Sequence, residues 1–159
     1  MIMKEKPTVQ EALKPDPEKK NLIITIGNPL RKDDGIGPYL PELLSKRLPP
    51  KVSLLNVSDR PERAFDFVDK SIGKIIIIDA ADFGGRPGEI RVISEEEIFA
   101  MTLSTHNLPI HILYKALAGE SGSTVFFVGI QPVDVSFGEG LSPQVEKAAS
   151  EIISYMLEV

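Results

Sequence analysis

Apolar residues in this chain form short continuous runs that alternate with segments of helical spacing. Runs at 22–26, 74–80 and 125–130 are rich in β-branched and aromatic residues, which is typical of strands buried on both faces of a parallel sheet. A less regular run at 51–57 predicts a further strand. Residues 89–93 alternate apolar and polar side chains. They follow the third strand too closely for a crossover helix, so we expect an antiparallel edge strand there.

Segments with apolar residues at helical spacing separate most of these strands. They predict helices over 38–48 (with a start as early as 36), 62–70, 106–118 and 142–157, and a helical turn over 94–100. The resulting order, β-α-β-α-β-β-α-β-α, predicts an α/β fold. We expect a three-layer α/β/α sandwich around one mixed, mostly parallel five-stranded sheet.

The first 20 residues differ in composition from the rest of the chain. They contain Pro7, Pro15 and Pro17 among five lysines and four acidic residues, a mixture too polar to bury much surface. We therefore expect a mobile or peripheral leader over 1–20. Residues 21–159 are an ordinary length for a single domain with its own core.

Bulk composition excludes several classes of function. The 159 residues include no cysteine, which rules out disulfides, thiolate metal sites and cysteine nucleophiles. The net charge of −5 and the lack of a basic cluster argue against a nucleic-acid partner. No run approaches the roughly 18 apolar residues of a membrane span. The polar start of the chain also lacks the apolar core of a signal peptide, so we expect a cytoplasmic protein.

The loop after the first strand contains two adjacent carboxylates, Asp33 and Asp34. Like charges side by side repel each other, and a purely structural loop could have used Asn or Ser, so we interpret this loop as part of a site. Right-handed crossovers would place strand one between strands two and three, which opens a crevice at their carboxyl ends. Asp79 ends the third strand and Asp82 follows it, so we expect both near this crevice.

His106, at the start of a later predicted helix, could reach the same crevice. Two carboxylates and an imidazole suit a borderline divalent metal such as zinc or nickel, with coordination positions left open. Structural interpretations stay open too, because such aspartates commonly cap helices or turns and a lone histidine is usually structural or solvated. His111 lies about 140° from His106 around a helix, so we expect it not to be a ligand. We expect Arg31 and Lys32 to be solvated.

Several common motifs are missing. The first loop matches neither the dinucleotide-binding glycine pattern nor the phosphate-binding P-loop, and the chain has no nucleophile elbow and no zinc-protease helix. A phospho-receiver module also places acidic residues after strands one and three, around magnesium. That alternative is disfavoured because Asp33 and Asp34 stand well beyond the strand end, and because neither the last strand nor the stretch at 129–134 contains the lysine that such a module needs.

Five sequence motifs, in this order, resemble those of the [NiFe]-hydrogenase maturation endopeptidases, and most closely the type that serves the formate-hydrogenlyase and related energy-converting hydrogenases. The resemblance covers about 22–157. The motifs are GNPLRKDDGIG at 27–37, IDAAD at 78–82, PGEIR at 87–91, STHNLP at 104–109 and GIQP at 129–132. The leader over 1–20 is not part of the resemblance.

The resemblance implies a twisted five-stranded α/β sheet and a protease. Such a protease removes a C-terminal peptide from the precursor of the hydrogenase large subunit after nickel insertion, and its other partners include maturation chaperones. The metal-contacting residues implied are Asp34, Asp79 and His106. Asp33 and Asp82 are weaker candidates to support the chemistry.

The resemblance also implies that nickel arrives in the substrate and that no metal is held permanently, although zinc, cadmium or nickel could occupy the site in vitro. We expect the loop around 137–140 to line the substrate groove. A chaperone that checks for nickel without cleaving is the alternative function.

Overall fold

The computed structural model of the protein describes residues 6–100 and 110–157. Within these residues a five-stranded mixed sheet is covered by helices on both faces. The strands are β1 Lys20–Ile26, β2 Val52–Ser58, β3 Ile72–Ala80, β4 Ile90–Ile93 and β5 Thr124–Ile130. The α-helices are α1 Val9–Leu13, α2 Ile36–Leu44, α3 Glu95–Ala100, α4 Ile110–Ser121 and α5 Pro143–Leu157, and two 3-10 turns cover Lys32–Gly35 and Pro61–Asp66.

The sheet has the order β2-β1-β3-β5-β4, with β4 antiparallel to β5 and the other neighbours parallel. The predictions of an α/β sandwich, of β1 between β2 and β3, and of an antiparallel edge strand at β4 are confirmed. Because β1, β3 and β5 run in the same direction, the loops that follow them meet at one edge of the sheet.

Each face of the sheet has its own apolar core. On one face, side chains from α1, α2 and α5 pack against Ile23, Ile76 and Ile78. On the other face, side chains from the turn Pro61–Asp66, α3 and α4 pack against Ile24 and Ile77. The central strands are therefore apolar on both sides, which explains their continuous apolar runs.

Two predicted helices differ from the structure. The helix expected over 62–70 is the 3-10 turn Pro61–Asp66, in which Pro61 and Ala64 are the buried residues. The chain turns away soon afterwards, since the Ser71 N–H donates to the Asp69 carboxylate at 2.7 Å. The helix expected over 38–48 ends at Leu44 as α2. The first residues of the helix expected over 106–118 lie outside the described residues.

The prediction that the leader over 1–20 is mobile or peripheral is wrong for the segment that forms α1. Thr8 caps this single helical turn by accepting the Glu11 N–H at 3.1 Å. Ala12 and Leu13 are fully buried in the core beside α5. The mean composition of the segment hid this short apolar stripe, because a single turn of helix needs only two or three apolar residues.

Lys74, in β3, fastens α1 to the sheet. Its ammonium donates to the carbonyls of Glu11 and Lys14 at the end of the helix and lies 5.0 Å from the centre of the Phe126 ring. Burial lowers the pKa of Lys74, and the charge of Asp16 opposes that shift. Across the described part of the chain, no helix is long and apolar enough to cross a membrane.

Candidate active site

The loop after β1 turns back sharply at Gly27. Its φ of 153° lies outside the range that other residues readily adopt, and a Cβ there would stand 1.9 Å from the Asp34 carbonyl oxygen. The Gly27 N–H donates to the Ser58 carbonyl at the end of β2, at 2.7 Å. Glycine at this position therefore lets the main chain at Asp34 approach the end of β1.

Asp34 lies in the 3-10 turn Lys32–Gly35 and is 6% exposed. The N–H of Asn28 donates to its Oδ2 at 2.9 Å. The Asn28 side chain in turn accepts the Leu30 N–H at 2.9 Å, which fixes the first residues of the loop. The main chain of the loop thus holds the Asp34 carboxylate in place at the carboxyl edge of the sheet.

Asp79 is the second-last residue of β3 and is 2% exposed. It lies on the same face of the strand as Ile75 and Ile77, which is the face covered by α4. Burial raises the pKa of the Asp79 carboxyl well above its usual value, and the nearby charge of Asp34 raises it further. A hydrogen bond from the Ala80 N–H opposes this rise.

The structure therefore brings together two of the residues named from the sequence, Asp34 and Asp79, although 45 positions separate them along the chain. Two acids in a buried location are costly unless they are protonated, paired or bound to a cation. Such perturbed carboxyls cluster at functional sites more often than elsewhere in proteins. Their oxygens are suitable donors for a divalent ion.

The third residue named from the sequence, His106, lies outside the described residues. Within 6–100 and 110–157, no three His, Asp or Glu side chains are grouped so that they could hold a metal ion. His111 is half-buried in α4, and its ring meets the Phe99 ring edge-on with centres 5.1 Å apart. A complete set of two carboxylates and one imidazole therefore needs a donor from the remaining part of the chain. The proposed role of His106 stays a prediction.

Asp33 has a different role from its neighbour. It is 1% exposed, and its carboxylate accepts hydrogen bonds from the loop that follows β5. The donors are the N–H groups of Val133 at 2.8 Å, Asp134 at 3.3 Å and Ser142 at 2.7 Å, and the Ser142 hydroxyl at 3.0 Å. With its acceptor positions occupied, Asp33 joins two loops and is poorly placed to take a proton from a substrate.

Asp82 is an exposed residue of the loop after β3. It accepts hydrogen bonds from the Gln131 side-chain amide and the Gly84 N–H, both at 3.1 Å, and these bonds lower the pKa of its carboxyl. The side-chain Oε1 of Gln131 accepts the Phe83 N–H at 2.9 Å. Gln131, which is 8% exposed, thus ties the loop after β3 to the end of β5.

Arg31 and Lys32, which were predicted to be solvated, are partly exposed and also bind the loop after β5. The Arg31 Nε donates to the Val135 carbonyl at 3.1 Å, and the Lys32 ammonium pairs with Asp134 at 2.9 Å. The main chains also meet, since the Lys32 N–H donates to the Gly138 carbonyl at 2.9 Å. We refer to residues 27–37 and 131–142 together as the two-loop platform.

The two-loop platform exposes apolar side chains beside the carboxyl edge of the sheet. Leu30 is 46% exposed, Val133 49% and Phe137 83%. Single exposed apolar side chains are common on protein surfaces, but several on adjoining loops are typical of a surface that binds another molecule. Sequence reasoning named the Phe137 loop but did not predict the roles of Gln131, which stands in the GIQP motif, and of Ser142. Both roles depend on contacts with residues far away in the chain.

Comparisons with known proteins agree with one another. The family model described as HycI, hydrogenase maturation protease, matches residues 38–159. The hydrogenase 3 maturation protease of Escherichia coli (strain K12) is 30% identical over 134 residues, which cover 83% of this chain and 85% of that protein. A putative hydrogenase maturation protease of Methanocaldococcus jannaschii is 28% identical over 150 residues, covering 89% and 88% of the two chains.

Solved structures show the same fold. A crystal structure of the hydrogenase 3 maturation protease superposes with a TM-score of 0.74 at 28% identity, covering 85% of this chain and 87% of the other. The [NiFe] hydrogenase maturation protease HycI from Thermococcus kodakarensis KOD1 gives a TM-score of 0.75 at 25% identity, covering 95% and 99%. This chain belongs to the hydrogenase maturation protease family.

Proposed function

We propose that this protein is an endopeptidase that removes a C-terminal peptide from the nickel-loaded large-subunit precursor of a [NiFe]-hydrogenase. Membership in a family of hydrogenase maturation proteases supports the reaction class. The observation that carries the assignment of the site is the buried, electrostatically coupled pair Asp34 and Asp79 at the carboxyl edge of the sheet. The precursor, its C-terminal extension and maturation chaperones are the proposed partners.

Asp34, Asp79 and His106 are the proposed contacts for the nickel that the precursor carries. Two buried acids repel each other when both are ionised, and a cation between them stabilises the charged pair. The free energy with which the precursor docks therefore depends on whether it carries the ion. We propose that no metal is held permanently, and that zinc, cadmium or nickel ions occupy the site in vitro. Such a site would accept a precursor only after nickel insertion.

The proposed chemistry is hydrolysis assisted by the metal ion of the substrate. An ion contacted by Asp34 and Asp79 would polarise the scissile carbonyl or activate a water molecule, and an acidic residue would take the proton of the attacking water. Asp34 and Asp79 are better placed for this than Asp33, whose oxygens accept hydrogen bonds from the loop after β5.

The proposed groove for the precursor runs beside the two-loop platform. Phe137, Gly138 and Glu139 lie at the tip of its second loop, and the exposed Phe137 ring offers an apolar contact. Phe137→Ala should weaken cleavage by raising the precursor concentration needed for half-maximal rate. Binding of a metal ion alone should stay unchanged, because the ring is not a metal ligand.

The proposed site is tested by measuring how fast purified, nickel-loaded precursor is cleaved by the wild-type protein and by its variants Asp34→Ala, Asp79→Ala and His106→Ala. Each variant should lower the cleavage rate by about 100-fold or more, since each removes an interaction with the ion that activates the reaction. Asp82→Ala is the matched control, because Asp82 is an exposed acid on a neighbouring loop. Normal, nickel-dependent cleavage by Asp34→Ala or Asp79→Ala would refute the assignment.

The alternative function is a chaperone that checks for nickel without cutting. It predicts a stable complex with the nickel-loaded precursor and no change in the mass of that precursor. Membership in a protease family favours cleavage. The same cleavage assay separates the two functions, because binding and loss of mass are measured independently.

A further inference from the structure

We propose that Asp33 is a positioning residue that holds the precursor-binding loop after β5 in register with Asp34. The inference rests on the proposed function, since it concerns how the same site receives its substrate. It assigns Asp33 a role that differs from supporting the chemistry.

Asp33 fastens the loop over 131–142 close to both of its ends. Near the start, the N–H groups of Val133 and Asp134 donate to Oδ2. At the far end, the Ser142 N–H donates to Oδ1 and the Ser142 hydroxyl donates to Oδ2. The exposed tip of the loop, with Phe137, lies between these two anchor points.

A carboxylate suits this role because it accepts hydrogen bonds through both oxygens and donates none. Asparagine has the same shape, but in either orientation its amide nitrogen would replace an oxygen that now accepts a main-chain N–H. At least one buried N–H would then lose its partner, and such a loss is costly. The loop would then be held less firmly against the turn that carries Asp33 and Asp34.

Ser142 connects the hydrogen bonds of Asp33 to the start of α5. Its hydroxyl oxygen accepts the Val145 N–H at 3.4 Å and its carbonyl accepts the Glu146 N–H at 3.0 Å, so Ser142 starts the helix while it donates to Asp33. Asp33 and Asp34 are adjacent in one 3-10 turn. The position of Asp34 relative to the loop after β5 is therefore set by one short rigid segment.

The test measures cleavage of nickel-loaded precursor by Asp33→Asn as a function of precursor concentration. The half-saturating concentration should rise about tenfold, as expected when a buried hydrogen bond is lost at a binding loop. Simple loss of folded protein would lower the maximal rate and leave the half-saturating concentration unchanged. Ser142→Ala removes the hydroxyl donor to Asp33 and the acceptor of the Val145 N–H but keeps the main-chain donor, so it should raise the half-saturating concentration by a smaller factor.

Asn21→Ala is the matched control. Asn21 is 3% exposed, and its side chain accepts the Asp16 N–H at 2.8 Å and donates to main-chain carbonyls, so it holds a loop at the opposite edge of the sheet. The substitution Asn21→Ala should destabilise the protein without changing the half-saturating precursor concentration. Amide hydrogen exchange gives a second readout, in which the Val133 and Ser142 amides should exchange faster in Asp33→Asn.

Each result decides a different question. Absence of cleavage by the wild-type protein would refute the proposed function itself. Wild-type cleavage together with an unchanged half-saturating concentration in Asp33→Asn would overturn the role of Asp33. Unchanged protection of the Val133 and Ser142 amides would overturn it as well. If Asp33→Asn does not fold, the same two measurements on Ser142→Ala decide the matter.

Discussion

At the scale of single residues, the buried Asp79 carboxyl opposes folding and serves the proposed site. Its raised pKa arises first from burial and then from the charge of Asp34. A carboxyl of this kind binds more protons in the folded protein than in the unfolded chain. The free energy of unfolding therefore falls as the pH rises from the usual value of 3.8 towards the raised pKa.

We expect Asp79→Asn to remove this loss of stability, because the amide does not ionise. In metal-free buffer, the melting temperature of the variant should depend less on pH than that of the wild type between about pH 4 and pH 8. At the upper end of this range the variant should be more stable, while cleavage is lost. Thermal unfolding followed by circular dichroism measures both curves.

Asp82→Asn is the control for this prediction. Hydrogen bonds lower the pKa of the exposed Asp82 carboxyl, so its substitution should not raise stability at neutral pH. A difference in melting temperature between Asp79→Asn and the wild type that does not shift in favour of the variant as the pH rises would contradict the raised pKa of Asp79. A wild-type melting temperature that rises steadily with pH relative to this variant would do the same.

At the residue scale, the sequence predicted correctly the positions of side chains that depend only on the order of the strands. Asp34 follows β1 and Asp79 lies near the end of the adjacent parallel strand β3, so their proximity could be predicted from strand order. The role of Asp33 could not, because its donors are 100 or more positions away in the chain. Gln131 was missed for the same reason, since it acts on a loop more than 40 positions upstream.

At the scale of elements, close contact between α2 and β1 shapes the first loop. A Cβ on Gly37 would lie 2.1 Å from the Ile26 carbonyl oxygen, so glycine lets the helix start against the end of the strand. We expect Gly37→Ala to destabilise the protein by about 1–3 kcal/mol, because main chain would have to move. Urea denaturation measures the change.

Gly119 provides the matched control in α4. It is exposed, and nothing lies within 4 Å of the position where its Cβ would stand. Gly119→Ala should stabilise the protein by up to about 1 kcal/mol, through helix propensity. If Gly37→Ala and Gly119→Ala changed the free energy of unfolding equally, the close contact at Gly37 would not contribute to stability.

A second prediction at this scale concerns the helix α1. Leu13 is fully buried between the helices and the sheet, so Leu13→Ala should lower the free energy of unfolding by about 2–4 kcal/mol. Gln10→Ala, on the exposed side of the same helix, should have little effect. A stability unchanged by Leu13→Ala would restore the expectation of a loosely attached leader.

Strands were easier to predict than helices. The bounds of the strands differ from the predictions by no more than two residues, because continuous apolar runs reflect burial on both faces. The turn Pro61–Asp66 and the short helix α1 were harder to predict, since each carries only a few apolar residues and depends on contacts with distant elements. Helical spacing gives a clear signal only over several turns.

At the scale of the whole molecule, strand order explains where the site lies. The chain leaves β1 towards β2 through α2, and it leaves β3 towards the other side of the sheet. The loops after β1 and β3 therefore diverge and leave a crevice, as in other open α/β sheets. The loop after β1 borders that crevice, and Asp33 joins it to the loop after β5 within the two-loop platform.

The central claim is that cleavage of the precursor requires both nickel and the buried acidic pair. The most direct test is intact-mass spectrometry of a hydrogenase large-subunit precursor co-expressed with this protein, in nickel-replete and nickel-depleted cells. Asp79→Ala is compared with the wild type under both conditions. We predict loss of a C-terminal peptide only with the wild type and only with nickel. Cleavage that persists without nickel or with Asp79→Ala would contradict the account, as would a stable complex whose precursor stays uncut.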